Sequence, residues 1–409
     1  MKLNLSGFRP FRLPLAGMAL LAMGCAAAAE VPCRTSGSFE SWLAGVKKEA
    51  RAQGISAAAI AQAEPYMTYE QKIVNIDRGQ RVFALTFIDF ANRIIPPSRI
   101  AAGEAQMKRH AATFARAEKE FGVPASVITA FWGLESDYGS NMGNDNSIRS
   151  ITTLAYDCRR AEMFREHLFN ALRLIQRGDL KPSEMIGSWA GELGQSQMMP
   201  TEYLKYAVDY DKDGHRNLLR SVDDVIGSTG NYLVHLGWKR GEPWLQEVKM
   251  PRNFPWKETG LDVKHTRSEY ARLGVRYVDG RPLPNGNMQT SILMPMGHLG
   301  PAFIVYDNFQ VYLTWNNSLV YSTSAAYFAT RLDGAPPMQK PSAPIPSVTP
   351  EQAKEIQELL TKAGYDVGGI DGKLGLASRG AVKAMQLKLG MPADSYATPE
   401  LLERLKAGK

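Results

Sequence analysis

The chain has 409 residues, 44% hydrophobic and 22% charged, with 36 glycines and 24 prolines. This is an ordinary globular profile with room for two or three domains, and it excludes collagenous, low-complexity and disordered classes. Beyond residue 25 no apolar run approaches the roughly 18 residues of a membrane span, which excludes a multi-spanning protein. The formal charge of +7 falls to +4 without residues 1–29, which suits an anionic polymer but does not mark a nucleic-acid binder.

Met1–Arg12 carries Lys2, Arg9 and Arg12 and no acid. Leu13–Met23 is apolar but too short to span a bilayer, and the small residues Gly24 and Ala26–Ala29 follow it. This is the order of a secretory signal, with release at Glu30 after Ala27-x-Ala29 and a periplasmic destination. The alternative is an outer-membrane lipoprotein anchored through Cys25, although the leucine of the lipobox is one place too far upstream. Export would place Cys33 and Cys158 in an oxidising compartment. A bridge between them would close a loop of about 126 residues, worth at most ~4–5 kcal/mol in the chain-entropy model. Two separate thiols are the other reading. The absence of a CxxC or Cys/His cluster speaks against structural zinc.

Ser38–Ala63 has helical spacing (Phe39, Trp42, Leu43, Val46) and ends before Pro65. Residues 81–90 are apolar and read as either strand or buried helix. Ala105–Phe121 reads as an amphipathic helix that stops at Gly122. Pro124 opens another, with Val127, Ile128, Phe131, Trp132 and Leu134 apolar. Arg160–Gln176 is a further helix. Residues 275–325 turn to short runs rich in Val, Ile, Tyr and Thr (FIVYDNF, QVYLTW), which suggests a small β element.

Asp333–Pro350 holds six prolines in eighteen residues and reads as a semi-rigid spacer. Beyond it, Ile356, Leu359, Leu360 and Ala363 form one helical stripe. Val382, Met385, Gln386 and Leu389 form a second, and Leu401, Leu402 and Leu405 begin a third. The intervening GYDVGGIDGKLG supplies the turns. This tail resembles the three-helix peptidoglycan-binding module of bacterial cell-wall enzymes.

Cutting a glycosidic bond requires a general acid, best supplied by a carboxyl of raised pKa. Glu135, in FWGLESDYG, ends an apolar helix beside Phe131, Trp132 and Leu134, a setting that raises a carboxyl pKa by desolvation. Gly133 and Gly139 flank it and would let a polymer approach the backbone. Ser188–Tyr203 is rich in Gly, Gln and Ser, which suit sugar hydroxyls and N-acetyl groups. Trp189, Tyr203, Tyr206 and Tyr232 are candidates to offer aromatic faces to sugar rings, with core packing the alternative and the stronger one for any single ring.

FWGLESDYG, TLAYDCRR, SWAGELGQSQMMPTEY and YAVDYDKDGHRNL, in that order, are similar to the motifs of the B-type lytic murein transglycosylases. The resemblance covers residues 38–332 and makes Glu135 the sole catalytic acid/base. It further implies that Ser188, Gln197, Arg159 and Arg160 bind substrate, and that Asn316 lines the cleft. Trp315 departs from the family's tyrosine. GEL replaces the more familiar GAM, so Glu192 is an extra carboxylate there.

Asp209, Asp211 and Asp213, with Gly214 at position six, begin an EF-hand-like loop, but Arg220 stands where the closing Glu belongs. Relatives in the family close a longer loop with a later Asp, which here implies Asp223, with Asp224 next in line. His215 would offer its backbone carbonyl. A structural Ca2+ is the expected cofactor.

The resulting expectation is a mainly α protein in four parts. Residues 1–29 are a signal, 30–332 a lysozyme-like α+β catalytic domain with a small β element, 333–348 a linker and 349–409 a three-helix peptidoglycan-binding domain. It would cleave peptidoglycan non-hydrolytically as a monomer, partnered by glycan strands and by other cell-wall enzymes, with no nucleic acid. A hydrolytic muramidase using a second carboxylate, and a non-catalytic wall-binding scaffold, are the alternatives.

Overall fold

The structure is a computed structural model that describes residues 31–79, 85–341 and 343–408. The signal and Cys25 readings, and residues 81–84 of the 81–90 run, lie outside the described residues.

The expected first helix is two, α1 (Phe39–Ala52) and α2 (Ala57–Ala63), parted by a turn at Gly54. Each begins on a serine, Ser38 or Ser56, whose hydroxyl accepts from a first-turn N–H. α3 (Gln71–Arg78) and α4 (Phe87–Ile94) follow, so the described end of the 81–90 run is helix. The expected Ala105–Phe121 helix is broken at His110 into α5 (Pro97–Arg109) and α6 (Ala111–Phe121).

α7 (Ala125–Ser136) is the axis of the domain, with every residue from Ser126 to Gly133 buried. A helix apolar on all sides belongs inside a bundle. Here α14 (below), α5, α6 and α11 (below) surround it. It stops just past Glu135, where Asp137 and Tyr138 turn left-handed at φ 50° and 59°. That bend leaves Glu135 at the mouth of the bundle.

β1 (Asp145–Asn146) pairs antiparallel with β2 (Ile186–Gly187), and between them run α8 (Ser147–Tyr156) and α9 (Ala161–Arg177). α10 (Pro200–Tyr206) and α11 (Val222–His235) complete this half. Cys33 and Cys158 form a disulfide that ties the start of the described chain to the turn after α8.

The β element is larger and begins earlier than the sequence suggests. β3 (Leu245–Lys249), β4 (His265–Thr266), β5 (Arg276–Tyr277), β6 (Gln289–Leu293) and β7 (Ala302–Val305) form one antiparallel sheet in the order β4-β6-β7-β3-β5, with α12 (Arg267–Arg272) between β4 and β5. It has its own core around Tyr270, Ile292, Ile304 and Tyr306. The FIV run is strand, as expected. QVYLTW is helix instead, within α13 (Phe309–Trp315), followed by α14 (Leu319–Leu332). Val311, Tyr312 and Leu313 are buried there, and burial against α7 outweighs their β propensity.

The tail forms α15 (Pro350–Lys362), α16 (Leu376–Lys388) and α17 (Pro399–Lys406) around Ile356, Leu360, Val382 and Leu401. It is not held off by a free spacer. The proline-rich segment runs along the large domain, where Met338 N donates to Tyr327 Oη at 3.0 Å and Gln339 N to Glu247 at 3.1 Å. Lys383 donates to the Thr259 carbonyl at 2.6 Å and Arg379 to that of Met294 at 2.7 Å. Asp394 pairs with His298 Nδ1 at 2.6 Å.

Candidate active site

Glu135 occupies the last turn of α7, half-buried. Trp315 Nε1, from α13, donates to its Oε1 at 2.9 Å, and the Tyr321 hydroxyl, from α14, donates to the same oxygen. Both donors favour the charged carboxylate. Burial acts the other way and dominates, and the nearby charge of Glu192 adds to it, so the Glu135 carboxyl is raised from 4.5 to about 7. The group is thus poised to give a proton and take one back near neutrality. Asp137, two residues on, leaves the helix and pairs with Arg99 at 3.0 Å, so it is not a second catalytic carboxylate.

The loop carrying the second motif is stapled to α7 on either side of Glu135. Ser136 Oγ donates to the Gln195 carbonyl at 2.6 Å, and Trp132 Nε1 to the Gln195 side-chain oxygen at 2.9 Å. Ser188 Oγ donates to Glu192 Oε2. Gln197 sits at φ 47° and donates to the carbonyls of Gly194 at 2.8 Å and Met142 at 3.2 Å. Ser188 and Gln197 therefore belong to the loop that faces the acid.

An aromatic line leads away from Glu135. Trp315 lies 4.3 Å from the Phe131 centroid and 5.2 Å from that of Tyr232, which stacks on Tyr206 at 4.9 Å. Tyr232 is half-buried, one ring removed from Glu135 through Trp315. Asn316 follows Trp315 as the C-cap of α13, its side-chain oxygen accepting from Ser318 N at 2.9 Å.

Several expectations need correction. Tyr203 is fully buried, its hydroxyl donating to the Arg216 carbonyl and accepting from Leu218 N, so it braces the end of the acidic loop and offers no face to a sugar. The space beside Gly133 is filled by the Tyr138 ring, whose hydroxyl would lie 2.7 Å from an added Cβ. The space beside Gly139 is filled by Gln195, at 2.5 Å. These glycines serve internal packing, not approach of a polymer. Arg159 and Arg160 converge on the buried Asp77 carboxylate. Their side chains are 45% and 36% exposed, so their outer faces remain open, and no hydrogen bond or ion pair among the described residues joins them to Glu135.

In the acidic loop, carboxylate oxygens of Asp209, Asp211 and Asp213 lie within 4.8 Å of one another. Asp209 also accepts from Gly214 N at 2.9 Å, and Asp213 from His215 N at 2.8 Å. Asp223 does not join them. It faces α6 and accepts from Thr113 Oγ1 at 2.6 Å. Asp224, buried beneath the loop, accepts from the N–H groups of Tyr210 and Asn217, both at 2.6 Å. Asp224 is thus a brace that orders the loop, and Asp223 stands outside it.

Tyr321 is the functional residue that sequence reasoning missed. It lies at the start of α14, inside the 275–325 stretch where the sequence suggests a β element.

One acid at the mouth of a helical bundle, beside a small sheet, defines a lysozyme-like catalytic domain. More particularly, the chain belongs to the Transglycosylase SLT domain family, which matches residues 38–330. The peptidoglycan-binding domain family matches residues 349–405. Among solved structures the chain is similar to SltB3 from Pseudomonas aeruginosa in complex with NAG-anhNAM-pentapeptide. That match has a TM-score of 0.84 and 39% identity, and covers 90% of this chain and 99% of that one. It is also similar to soluble lytic transglycosylase SltB1 from P. aeruginosa, with a TM-score of 0.61, 27% identity and coverage of 71% and 98%. Membrane-bound lytic murein transglycosylase B of Escherichia coli (strain K12) is 29% identical over 239 residues, spanning 58% of this chain and 64% of that protein.

Proposed function

We propose that the protein is a peptidoglycan lytic transglycosylase that cleaves the β-1,4 bond between MurNAc and GlcNAc and leaves 1,6-anhydro-MurNAc ends. The observation that carries this reading is the single carboxyl raised to about 7 by burial, with one oxygen held by Trp315 and Tyr321 and the other left for substrate. Protonated Glu135 gives its proton to the glycosidic oxygen as the bond from MurNAc C1 breaks. GlcNAc leaves with a new 4-hydroxyl. The substrate's own N-acetyl oxygen relieves the electron-poor C1. Glu135, now a carboxylate, takes the proton of the C6 hydroxyl, O6 bonds to C1 and the N-acetyl oxygen is released. No water is consumed, and one carboxyl serves both steps where hydrolases use two.

The NAG-anhNAM-pentapeptide complex of SltB3 and the match to the peptidoglycan-binding family support glycan strands as substrate. The N-terminal signal order supports a periplasmic location, and no helix among the described residues is long and apolar enough to cross a membrane. The clustered carboxylate oxygens of Asp209, Asp211 and Asp213 suit a hard cation such as Ca2+ in a structural role, with the His215 carbonyl as the further ligand the loop pattern implies.

Mass spectrometry of fragments released from purified peptidoglycan tests the activity. Anhydro-MurNAc ends are expected. Reducing ends that carry an added water would establish a muramidase, a reading favoured only by the presence of Glu192 beside Glu135.

A further inference from the structure

The disulfide joins two arginine-bearing segments. On one side Cys158 opens the short turn that Arg159 and Arg160 complete. On the other, Arg34 follows Cys33, and its guanidinium lies 3.9 Å from Asp157 Oδ1. The same oxygen accepts from Arg78 Nη2 at 2.6 Å. Arg78 in turn follows Asp77, on which Arg159 and Arg160 converge. Four guanidiniums thus surround two carboxylates whose side chains are 2% exposed, while the arginine side chains are 36–47% exposed. Two positive charges within the cluster stay uncancelled. Nη1 of Arg159 and of Arg160 makes no hydrogen bond among the described residues. The edge also lies near the cleft. Gly191, in the loop that carries Ser188, packs on α8, where an added Cβ would fall 2.3 Å from Ile151 Cγ1. From Ile151 to the end of α8 at Tyr156 is roughly 8 Å at the helical rise, and the arginine turn follows at once.

We propose that Cys33 and Cys158 are positioning residues for the substrate: their bridge holds Arg34, Arg159 and Arg160, together with Arg78, as one cationic edge that takes the free carboxylates of peptide stems. The inference rests on the transglycosylase reading. Guanidinium forks pair with carboxylates in a planar, charge-assisted geometry. In a peptidoglycan strand the sugars between stems are uncharged and the stems carry the carboxylates, so a cationic edge beside the cleft reads the stem. The N-terminal limb is tied down from three sides. Trp42 Nε1 donates to the Pro32 carbonyl at 2.8 Å, the Tyr156 hydroxyl donates to the Gly37 carbonyl at 3.1 Å, and the bridge lies between them. The bridge is the tie that joins Arg34 directly to the turn of Arg159 and Arg160. Its loss frees Arg34 from Asp157 and removes the covalent anchor of that turn.

The test measures KM and kcat for release of anhydro ends by the wild-type chain, Cys33→Ser and Arg34→Gln. Two substrates are compared: glycan strands with native stems, and the same strands with the stem carboxylates converted to amides. On native stems Arg34→Gln should raise KM about twofold to fivefold, the range of one partly exposed ion pair, and Cys33→Ser about threefold to tenfold, because more than one arginine is displaced. On both variants kcat should change by less than about twofold, and on amidated stems the rise in KM should vanish. Arg272→Gln, which removes an exposed arginine of the sheet domain, is the control for lost surface charge and should leave both substrates alone. Should Cys33→Ser not fold, the wild-type chain reduced after folding takes its place, with the same rise expected. Equal rises on native and amidated stems overturn the proposal, as does a KM for native stems that loss of the bridge or of the Arg34 charge leaves in place. Absence of anhydro ends from the wild type overturns the transglycosylase reading instead.

Discussion

Tyr321→Phe is the perturbation that most directly tests how the catalytic carboxyl is tuned. The ring stays, so the core around it keeps its packing, and only the donor to Glu135 Oε1 is lost. A hydrogen bond to a charged group contributes about 1.5–3 kcal/mol. At about 1.4 kcal/mol for each pKa unit, that is roughly one to two units. Trp315 still donates to the same oxygen at 2.9 Å, so the lower end applies. The donor stabilises the carboxylate, and its removal favours the protonated form. The basic limb should therefore move upward by about one unit from its wild-type position near 7. A weaker and less constrained acid should also lower the plateau rate by roughly tenfold. The assay is kcat/KM against pH for release of anhydromuropeptides. A limb that stays in place, or moves down, would show that Tyr321 does not tune Glu135.

Glu135→Gln should abolish turnover while leaving wall binding intact, as a pull-down with purified peptidoglycan can show. It should also change stability with pH. The folded carboxyl is raised from 4.5 to about 7, so its ionisation costs folding free energy as pH rises through that window and nothing below it. The glutamine variant should gain on the wild type by up to about 3 kcal/mol above pH 7, less as far as water in the cleft screens the charge, and parallel urea midpoints across the window would refute this. Ca2+ at about 1 mM should raise the melting temperature by a few degrees, and Asp211→Ala should remove that response; a melting curve indifferent to both Ca2+ and chelator would discard the cation. Cys33→Ser should lower stability by up to about 4–5 kcal/mol, the loop-closure value for a separation of 125 residues, and an unchanged denaturation midpoint would show that the bridge constrains little.

Glu135 was legible because its chemistry and its local setting lie in one segment. An apolar helix opened by Pro124 runs into a polar ESDYG, and that juxtaposition already says desolvated acid. Tyr321 was not legible, because its role is defined by a partner 186 residues away. Nothing in the local pattern, read as β although it is helix, says which distant carboxylate the tyrosine covers. The same reasoning explains Tyr203, whose polar tip and ring suit a sugar in sequence but meet backbone groups of the loop at Arg216 and Leu218 in space. It explains QVYLTW as well, where β-formers are made helical by packing on α7.

The wall-binding tail extends the point to whole domains. Its three apolar stripes were readable because they satisfy each other locally. Its docking was not readable, because the contacts are made by residues that look like solvated charges. Lys383 lies on the second helix of the tail but is only 7% exposed, its ammonium directed to the Thr259 carbonyl. Arg379, one turn earlier, reaches the carbonyls of Met294 and Pro295. Asp394 is buried against His298, whose ring and N–H, with other donors, hold its carboxylate below the usual range despite burial. Charged side chains that give all their bonds to carbonyls and counter-charges across an interface fix orientation more sharply than an apolar patch does, because each unmade bond leaves a buried charge unpaired. The tail is thereby fixed to the sheet domain at the β6–β7 connection and at Thr259 ahead of β4, and a glycan strand bound by it would meet a cleft already set in position.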